Sequence, residues 1–195
     1  MDINSQQSAA SAPVKRFPQL DNRELVKTSF WISQVFMIIA TIVGVYLAAQ
    51  EGLSQAITFD NLTNKQNNYY LRHALYDELN DNVSIINDYA DFISGKAPYD
   101  IKSHHPTMAN FVWDNMRYSP NTLETPSQIL SDTRRFYMQA SEIVSKVEAR
   151  VYGAKYGGGL LKVLTQEVSE KTLPALKANY SALANELQRH EIYVE

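Results

Sequence analysis

The chain has 195 residues, of which 45% are hydrophobic and 20% are charged, and this composition is typical of globular proteins once one long apolar run is set aside. The net charge of −3 provides no basic field for nucleic acid, so we expect no nucleic-acid partner. The chain has no cysteine, which excludes disulfides and thiol catalysis.

The N-terminal segment is small and polar, contains Pro13 and Pro18, and has no apolar periodicity. Such a composition buries too little apolar surface to form a core. We therefore predict a disordered cytoplasmic tail over residues 1–24.

A single long apolar run follows this tail. Residues 28–50 carry no formal charge, and residues 30–49 are long enough as a helix to cross a hydrocarbon layer of about 30 Å. A cleaved signal peptide is the alternative, but the run is about twice as long as a usual signal-peptide core and does not end in Ala-x-Ala. The length favours an uncleaved transmembrane helix over residues 25–52.

Basic residues are distributed unevenly around this run. Four of them lie between positions 15 and 27, whereas Lys65 is the only one in the 20 residues that follow the run. The positive-inside rule therefore predicts a cytoplasmic N-terminus and an extracytoplasmic helical domain over residues 53–195. The absence of cysteine is compatible with a bacterial periplasm without requiring it.

Small residues form one face of the predicted membrane helix. Ala40, Gly44 and Ala48 repeat every four residues, a spacing that lets two transmembrane backbones approach closely. The pattern predicts a protein partner or self-association through the membrane helix. The alternative is a chance spacing in a span that contains several alanines.

Residues 71–93 have a clear helical period, with apolar residues in one sector and aspartates in the opposite sector. The apolar set is Leu75, Leu79, Val83, Ile86, Ala90 and Ile93, and the acidic set is Asp77, Asp81, Asp88 and Asp91. We predict a buried apolar face. We interpret the acidic face as solvated, the alternative being a docking face for a basic partner.

Gly95 and Pro98 are predicted to end this helix, and a short aromatic helix is predicted within the connection that follows. Phe111, Trp113 and Tyr118 are candidate residues of an aromatic ligand pocket or contact surface, because aromatic side chains bury large areas. The alternative, which their helical spacing favours, is that they belong to the core.

A second long helix is predicted to start with a capping box, in which Thr125 is the N-cap, Pro126 is the first helical residue and Gln128 closes the box. Two rows at seven-residue spacing are predicted to form its buried face. They are Leu130, Tyr137, Val144 and Val151, and Thr133, Ala140, Val147 and Ala154.

Gly153 and the glycines at 157–159 are predicted to break this helix and form a flexible turn. A phosphate-binding loop is not expected there, because it requires a preceding strand and a following Gly-Lys-Ser/Thr. A third long helical segment begins at Leu160. Pro174, which lacks an N–H, is predicted to kink or divide it near Leu173.

Signals for chemistry are weak along the chain. The four histidines form no ligand pair at helical spacing, and the common hydrolase motifs do not occur in the sequence. The carboxylate pairs lie on a hydrophilic helix face rather than in a pocket. We therefore predict that the protein is not an enzyme and has no cofactor and no metal site.

Two segments carry a resemblance to a known group. Residues 43–48 form a glycine-centred apolar motif, and residues 70–82 form a leucine-containing helix with a Glu-Leu-x-x-Asn pattern at Glu78 to Asn82. In these features the chain resembles uncharacterised bacterial single-pass inner-membrane proteins with a helical extracytoplasmic domain. The resemblance covers about residues 40–86 and implies an inner-membrane location with no known activity.

Together these patterns predict an all-α protein, with one N-terminal transmembrane helix followed by an extracytoplasmic bundle of three to four long helices. The predicted function is a membrane-anchored accessory or scaffolding subunit that acts through helix–helix contacts in the membrane and through its periplasmic bundle. The alternative is a sensory or small-ligand-binding bundle that signals through a partner. The sequence identifies neither the partner, the ligand, the oligomeric state nor the biological process.

Overall fold

The computed structural model describes residues 28–96 and 99–194, and every regular element in these ranges is helical. The predicted all-α class is confirmed for this part of the chain, whereas the tail predicted over residues 1–24 lies outside it. The helices are α1 (Thr28–Lys96), α2 (Phe111–Met116), α3 (Ser127–Glu148), α4 (Ala154–Glu167) and α5 (Leu173–Gln188), with 3-10 turns at Lys102–His104 and Pro120–Glu124 and a π-helical segment at Val168–Thr172.

The chain divides into two compact units, the first ending at Gln55 and the second beginning at Ala56. In the first unit no residue of the most apolar stretch of α1 is buried. Among the described helices, α1 alone is long and apolar enough to cross a membrane. It continues as a helix past residue 52, so the predicted end of the span is not a helix boundary.

In the second unit, the apolar face predicted over residues 71–93 is confirmed. All six of its apolar side chains are buried, five of them without any exposed surface, and the four aspartates on the opposite face are exposed. These apolar residues share one core with side chains from α2, α3, α4 and α5. Each fully buried Leu or Ile contributes about 1.5–3 kcal/mol, so this face is a main source of the unit's stability.

The start of α3 differs from its prediction. No side chain caps the helix, and Pro126 occupies the N-cap position. The Thr125 hydroxyl is buried and accepts a hydrogen bond from Nε of Arg72 at 3.4 Å, while Gln128 donates to Asp132 at 2.9 Å. The predicted capping box is therefore wrong, because the Thr125 hydroxyl accepts a hydrogen bond from a guanidinium group of α1 and does not cap α3.

The predicted buried face of α3 is confirmed for most of its length, but Val151 is 69% exposed and Ala154 belongs to α4. The prediction is wrong at these two positions because α3 ends at Glu148 and the chain turns away through Arg150, whose φ is 58°. Phe136 is fully buried and was not part of the predicted rows. The apolar face of α3 is thus wider than a two-row seam, as is usual for a helix packed on several neighbours.

The predicted break at Gly153 is confirmed, because Gly153 lies between α3 and α4 at the N-cap of α4. The predicted turn at residues 157–159 is wrong, because these glycines lie inside α4. A Cβ atom at Gly157 would overlap the side chain of Val147 in α3. A Cβ atom at Gly158 would overlap a side chain of α1 and lie 3.0 Å from the carbonyl oxygen of Ala90. The glycines therefore serve close helix packing rather than backbone flexibility.

This packing makes Gly158→Ala and Gly159→Ala a matched pair. We expect Gly158→Ala to lower the free energy of unfolding by about 1–3 kcal/mol, because the methyl group presses on the α1 backbone. A Cβ atom at Gly159 has no neighbour within 4 Å, so Gly159→Ala should raise stability by about 0.5–1 kcal/mol through helix propensity. Thermal unfolding of the full chain in detergent measures both. Equal melting temperatures would contradict the close approach of α4 to α1.

The predicted division of the last segment near Leu173 is confirmed. The π-helical segment Val168–Thr172 lies directly before α5, and Pro174 lies in the first turn of α5. A proline ring clashes with the carbonyl four residues earlier in a regular helix. The wider π-helical turn accommodates the proline without ending the packed segment.

Candidate protein-contact groove

Helix α2 is fixed to α1 by the buried carboxylate of Glu78. This carboxylate accepts hydrogen bonds from the backbone N–H groups of Val112 at 2.7 Å and Trp113 at 3.0 Å. Both N–H groups belong to the first turn of α2, where no helical carbonyl is available as an acceptor. A negative charge at this end also interacts favourably with the helix dipole. Glu78 therefore determines where the short helix begins and how it lies on α1.

Asn82 and Tyr137 complete this attachment. Asn82 donates to the carbonyl oxygen of Ala109 at 2.6 Å and accepts from its N–H at 2.8 Å. The Tyr137 hydroxyl donates to Glu78 at 2.8 Å and accepts from Asn82 at 3.0 Å. Burial raises the pKa of Tyr137, and the Glu78 carboxylate raises it further, so the hydroxyl stays protonated and acts as a donor. In this chain, the Glu-Leu-x-x-Asn pattern holds the connection before α2.

Arg72 fixes the part of the connecting segment that lies directly before α3. Its buried guanidinium donates to the Glu124 carbonyl oxygen at 2.7 Å and to Oδ1 of Asn179, on α5, at 2.7 Å. Burial lowers the pKa of Arg72, and the Glu124 carboxylate partly offsets this effect. The segment between α1 and α3 is thus held at its middle and next to α3 by polar side chains of α1.

Between α2 and α3 the surface forms two neighbouring depressions that are open to solvent, with volumes of about 690 and 320 Å³. Trp113, Arg117 and Arg134 line both of them, and we call the pair the Trp113 groove. The larger part also contains Met108, Tyr137 and Met138, and the smaller part also contains Met116 and Leu130.

The groove combines aromatic, methionine and arginine side chains. The guanidinium groups of Arg117 and Arg134 make no hydrogen bond or ion pair with any described residue. The one carboxylate among the lining residues, Asp114, accepts a hydrogen bond from Asn110 at 2.8 Å. Within residues 28–96 and 99–194, no lysine or glutamate lines the groove. This composition is typical of protein–protein contact surfaces, where aromatic residues, Met and Arg are enriched and Lys and Glu are depleted.

The structure places the three aromatic candidate residues differently. Trp113 stacks on Tyr137 with ring centroids 5.8 Å apart and forms the centre of the groove. Phe111 and Tyr118 are 78% and 86% exposed and do not line either depression. The three residues therefore do not form one pocket, although all lie on or next to α2.

The candidate membrane contact residues Ala40, Gly44 and Ala48 are exposed on α1. A Cβ atom at Gly44 would meet no atom within 4 Å. The nearby Thr41 hydroxyl donates to the carbonyl oxygen of Met37 at 2.8 Å, within the same helix. This face is thus accessible to a partner helix.

Two of the histidines in the described part of the chain stack on aromatic side chains. His73 stacks on Tyr180 with centroids 4.8 Å apart, and His104 stacks on Phe92 at 4.2 Å. No group of three or more His, Asp or Glu side chains that could hold a metal ion occurs among the described residues.

Sequence reasoning identified Trp113 but missed Arg117, Arg134 and Met138. Arg134 and Met138 are four residues apart on α3 and lie outside its buried rows, so a helical wheel places them on one exposed face. A second signal was the density of aromatic, Met and Arg residues between positions 108 and 118. Neither pattern indicated that α2 and α3 lie side by side.

No family model matches the sequence, and no curated protein or solved structure is significantly similar to it. The resemblance to bacterial single-pass inner-membrane proteins stays a prediction.

Proposed function

We propose that the chain is a membrane-anchored accessory or scaffolding subunit that binds a protein partner in the Trp113 groove. The composition of that groove is the observation that carries the proposal. Interface hot spots are enriched in Trp, Tyr and Arg, and all three residue types line this surface. An open depression also suits a protein surface better than a small molecule, which is usually enclosed over most of its area.

The proposed anchor is the exposed apolar run of α1, whose length suits a membrane span. The proposed location is the bacterial inner membrane, and the basic residues before the run support a cytoplasmic N-terminus. The helices of the second unit then form a periplasmic bundle of three to four long helices. The face formed by Ala40, Gly44 and Ala48 provides a second contact, either with a partner helix or with another copy of the chain.

A sensory or small-ligand-binding bundle is the second candidate function. The larger depression favours it, because its volume of about 690 Å³ lies within the usual range of ligand pockets, about 300–1,000 Å³. Its exposure to solvent is the argument against it.

The proposed topology predicts the behaviour of two fusions after Glu195. Alkaline phosphatase, which folds only outside the cytoplasm, should be active, and a cytoplasmic fluorescent reporter should be dark. The physical reason is the concentration of basic residues before the apolar run. The reverse pattern would place the second unit in the cytoplasm and overturn the proposed location.

Co-purification of the full chain in mild detergent tests the proposed contacts. We expect a stoichiometric protein partner that is lost in Met138→Glu, because this change buries a carboxylate in an apolar contact. Val163→Glu is the matched control, since Val163 is 66% exposed on α4 and Met138 is 64% exposed on α3. The control should keep the partner.

A second arm of this experiment addresses the membrane helix. Gly44→Leu should weaken association by blocking close backbone approach, while Ile42→Leu keeps hydrophobicity and should have little effect. Retention of the partner by both Met138→Glu and Gly44→Leu would contradict both proposed contact sites. A bound small molecule in place of a protein would favour the second candidate function.

A further inference from the structure

We infer that the partner of the Trp113 groove is a peptide segment that carries a carboxylate between apolar side chains. The inference rests on the proposed function and names the chemical class of the partner. It follows from the position of two arginines, without a partner in the described part of the chain, at the boundary between the two depressions.

The first step concerns charge. Arg117 and Arg134 lack a partner among the described residues, whereas the neighbouring Arg135 pairs with Asp132 at 3.1 Å. A guanidinium group offers a planar set of donors that matches a carboxylate with two parallel hydrogen bonds. Docking would exclude water from these groups and strengthen the attraction to an opposite charge.

The second step concerns position. Both arginines line both depressions, so a ligand that spans the groove passes them near its middle. On one side it would contact Leu130, and on the other side Met108 and Met138. The complementary segment therefore has an acidic residue in the centre and apolar residues before and after it.

The third step concerns rigidity. One wall of the groove is α2, which Glu78 and Asn82 hold on α1, and the other wall is α3, whose inner face is buried in the core. A preformed surface loses little conformational entropy on binding. The groove is therefore suited to bind a short segment without rearrangement.

A second copy of the chain is a less suitable occupant. Its exposed aspartates on α1 would bring the required charge, but they lie on a different surface from the groove. Such a contact joins two unlike surfaces and generates rings or open chains of molecules rather than a symmetric dimer. Anionic lipid headgroups are the other source of negative charge, and both occupants are outcomes of the test below.

The test uses the full chain in phosphatidylcholine nanodiscs as the target for selection from a displayed random-peptide library. We expect the selected peptides to be enriched in Asp or Glu flanked by Leu, Met, Phe or Trp. The double change Arg117→Glu and Arg134→Glu should weaken their binding by at least about tenfold. Lys155→Glu with Lys177→Glu changes the net charge equally outside the groove and should have no such effect.

Several results would overturn the inference. If the selected peptides are not enriched in acidic residues, or if they bind the double arginine variant as well as the parent, the partner is not an acidic peptide segment. If Met138→Glu still weakens those peptides, the groove stays the contact site and only the inference fails. If no peptide depends on the groove, the proposed function fails with it. If the parent protein binds anionic vesicles and the double arginine variant does not, the occupant is lipid instead. If the parent protein forms concentration-dependent assemblies and the double arginine variant does not, the occupant is a second copy of the chain.

Discussion

Ile86→Asp is expected to lower the free energy of unfolding of the second unit by roughly 4 kcal/mol or more. Ile86 has no exposed surface and lies in the core with Val144 of α3 and Leu161 of α4. The substitution would bury a carboxylate that has no partner there, which is among the most costly single changes in a protein. Thermal and urea unfolding of the full chain in detergent, followed by circular dichroism, measures the effect.

Asp88→Ala is the control on the same helix. Asp88 is exposed, so its loss should change the free energy of unfolding by less than about 0.5 kcal/mol. Similar losses of stability in the two variants would mean that the buried face of α1 is assigned to the wrong side of the helix.

Glu78→Ala is expected to lower the free energy of unfolding by about 3 kcal/mol or more and to release α2 from α1. The change removes the acceptor of three hydrogen bonds, from two backbone N–H groups and from the hydroxyl of Tyr137. Each buried donor left without a partner costs about 1–3 kcal/mol. Glu78→Gln keeps one acceptor oxygen and should lose less stability. Asp77 is exposed, so Asp77→Ala is the control and should leave the free energy of unfolding nearly unchanged.

Trp113 fluorescence reports the release of α2 directly. Trp31 and Trp113 are the two tryptophans of the chain, so Trp31→Phe leaves Trp113 as the sole emitter. In this background Glu78→Ala should shift the emission to longer wavelength and increase quenching by a soluble quencher. An unchanged spectrum would show that Glu78 does not position the groove.

Glu78 affects both stability and partner binding, because the residue that holds α2 also shapes one wall of the Trp113 groove. Exposed residues of the groove such as Arg134 and Met138 lie outside the core. Substitutions at those two positions should therefore change partner binding with little change in melting temperature.

Several features were predictable because they depend on neighbours in the sequence. The apolar period of residues 71–93 identified the buried face of α1, since residues three and four apart share one side of a helix. Pro174 indicated the interruption before α5, because its missing N–H and its ring disturb a helix locally. The long uncharged run of α1 and the short helix around Trp113 were visible for the same reason.

Other features depend on contacts between distant residues, and only the tertiary structure decided them. The glycines at 157–159 suggest a turn by propensity, yet they lie inside α4, where Val147 and Ala90 leave no room for a side chain at Gly157 and Gly158. Thr125 suggests a cap, yet its hydroxyl bonds to Arg72, 53 residues earlier.

The Trp113 groove has the same origin. It exists because Glu78 on α1 binds backbone N–H groups 34 and 35 residues later and thereby places α2 beside α3. The periodicity of the sequence predicted which helix faces are buried, because an apolar face is buried whichever neighbouring helix covers it. Which helices meet, and where polar side chains join them, was decided by packing and hydrogen bonding between segments that local sequence does not relate.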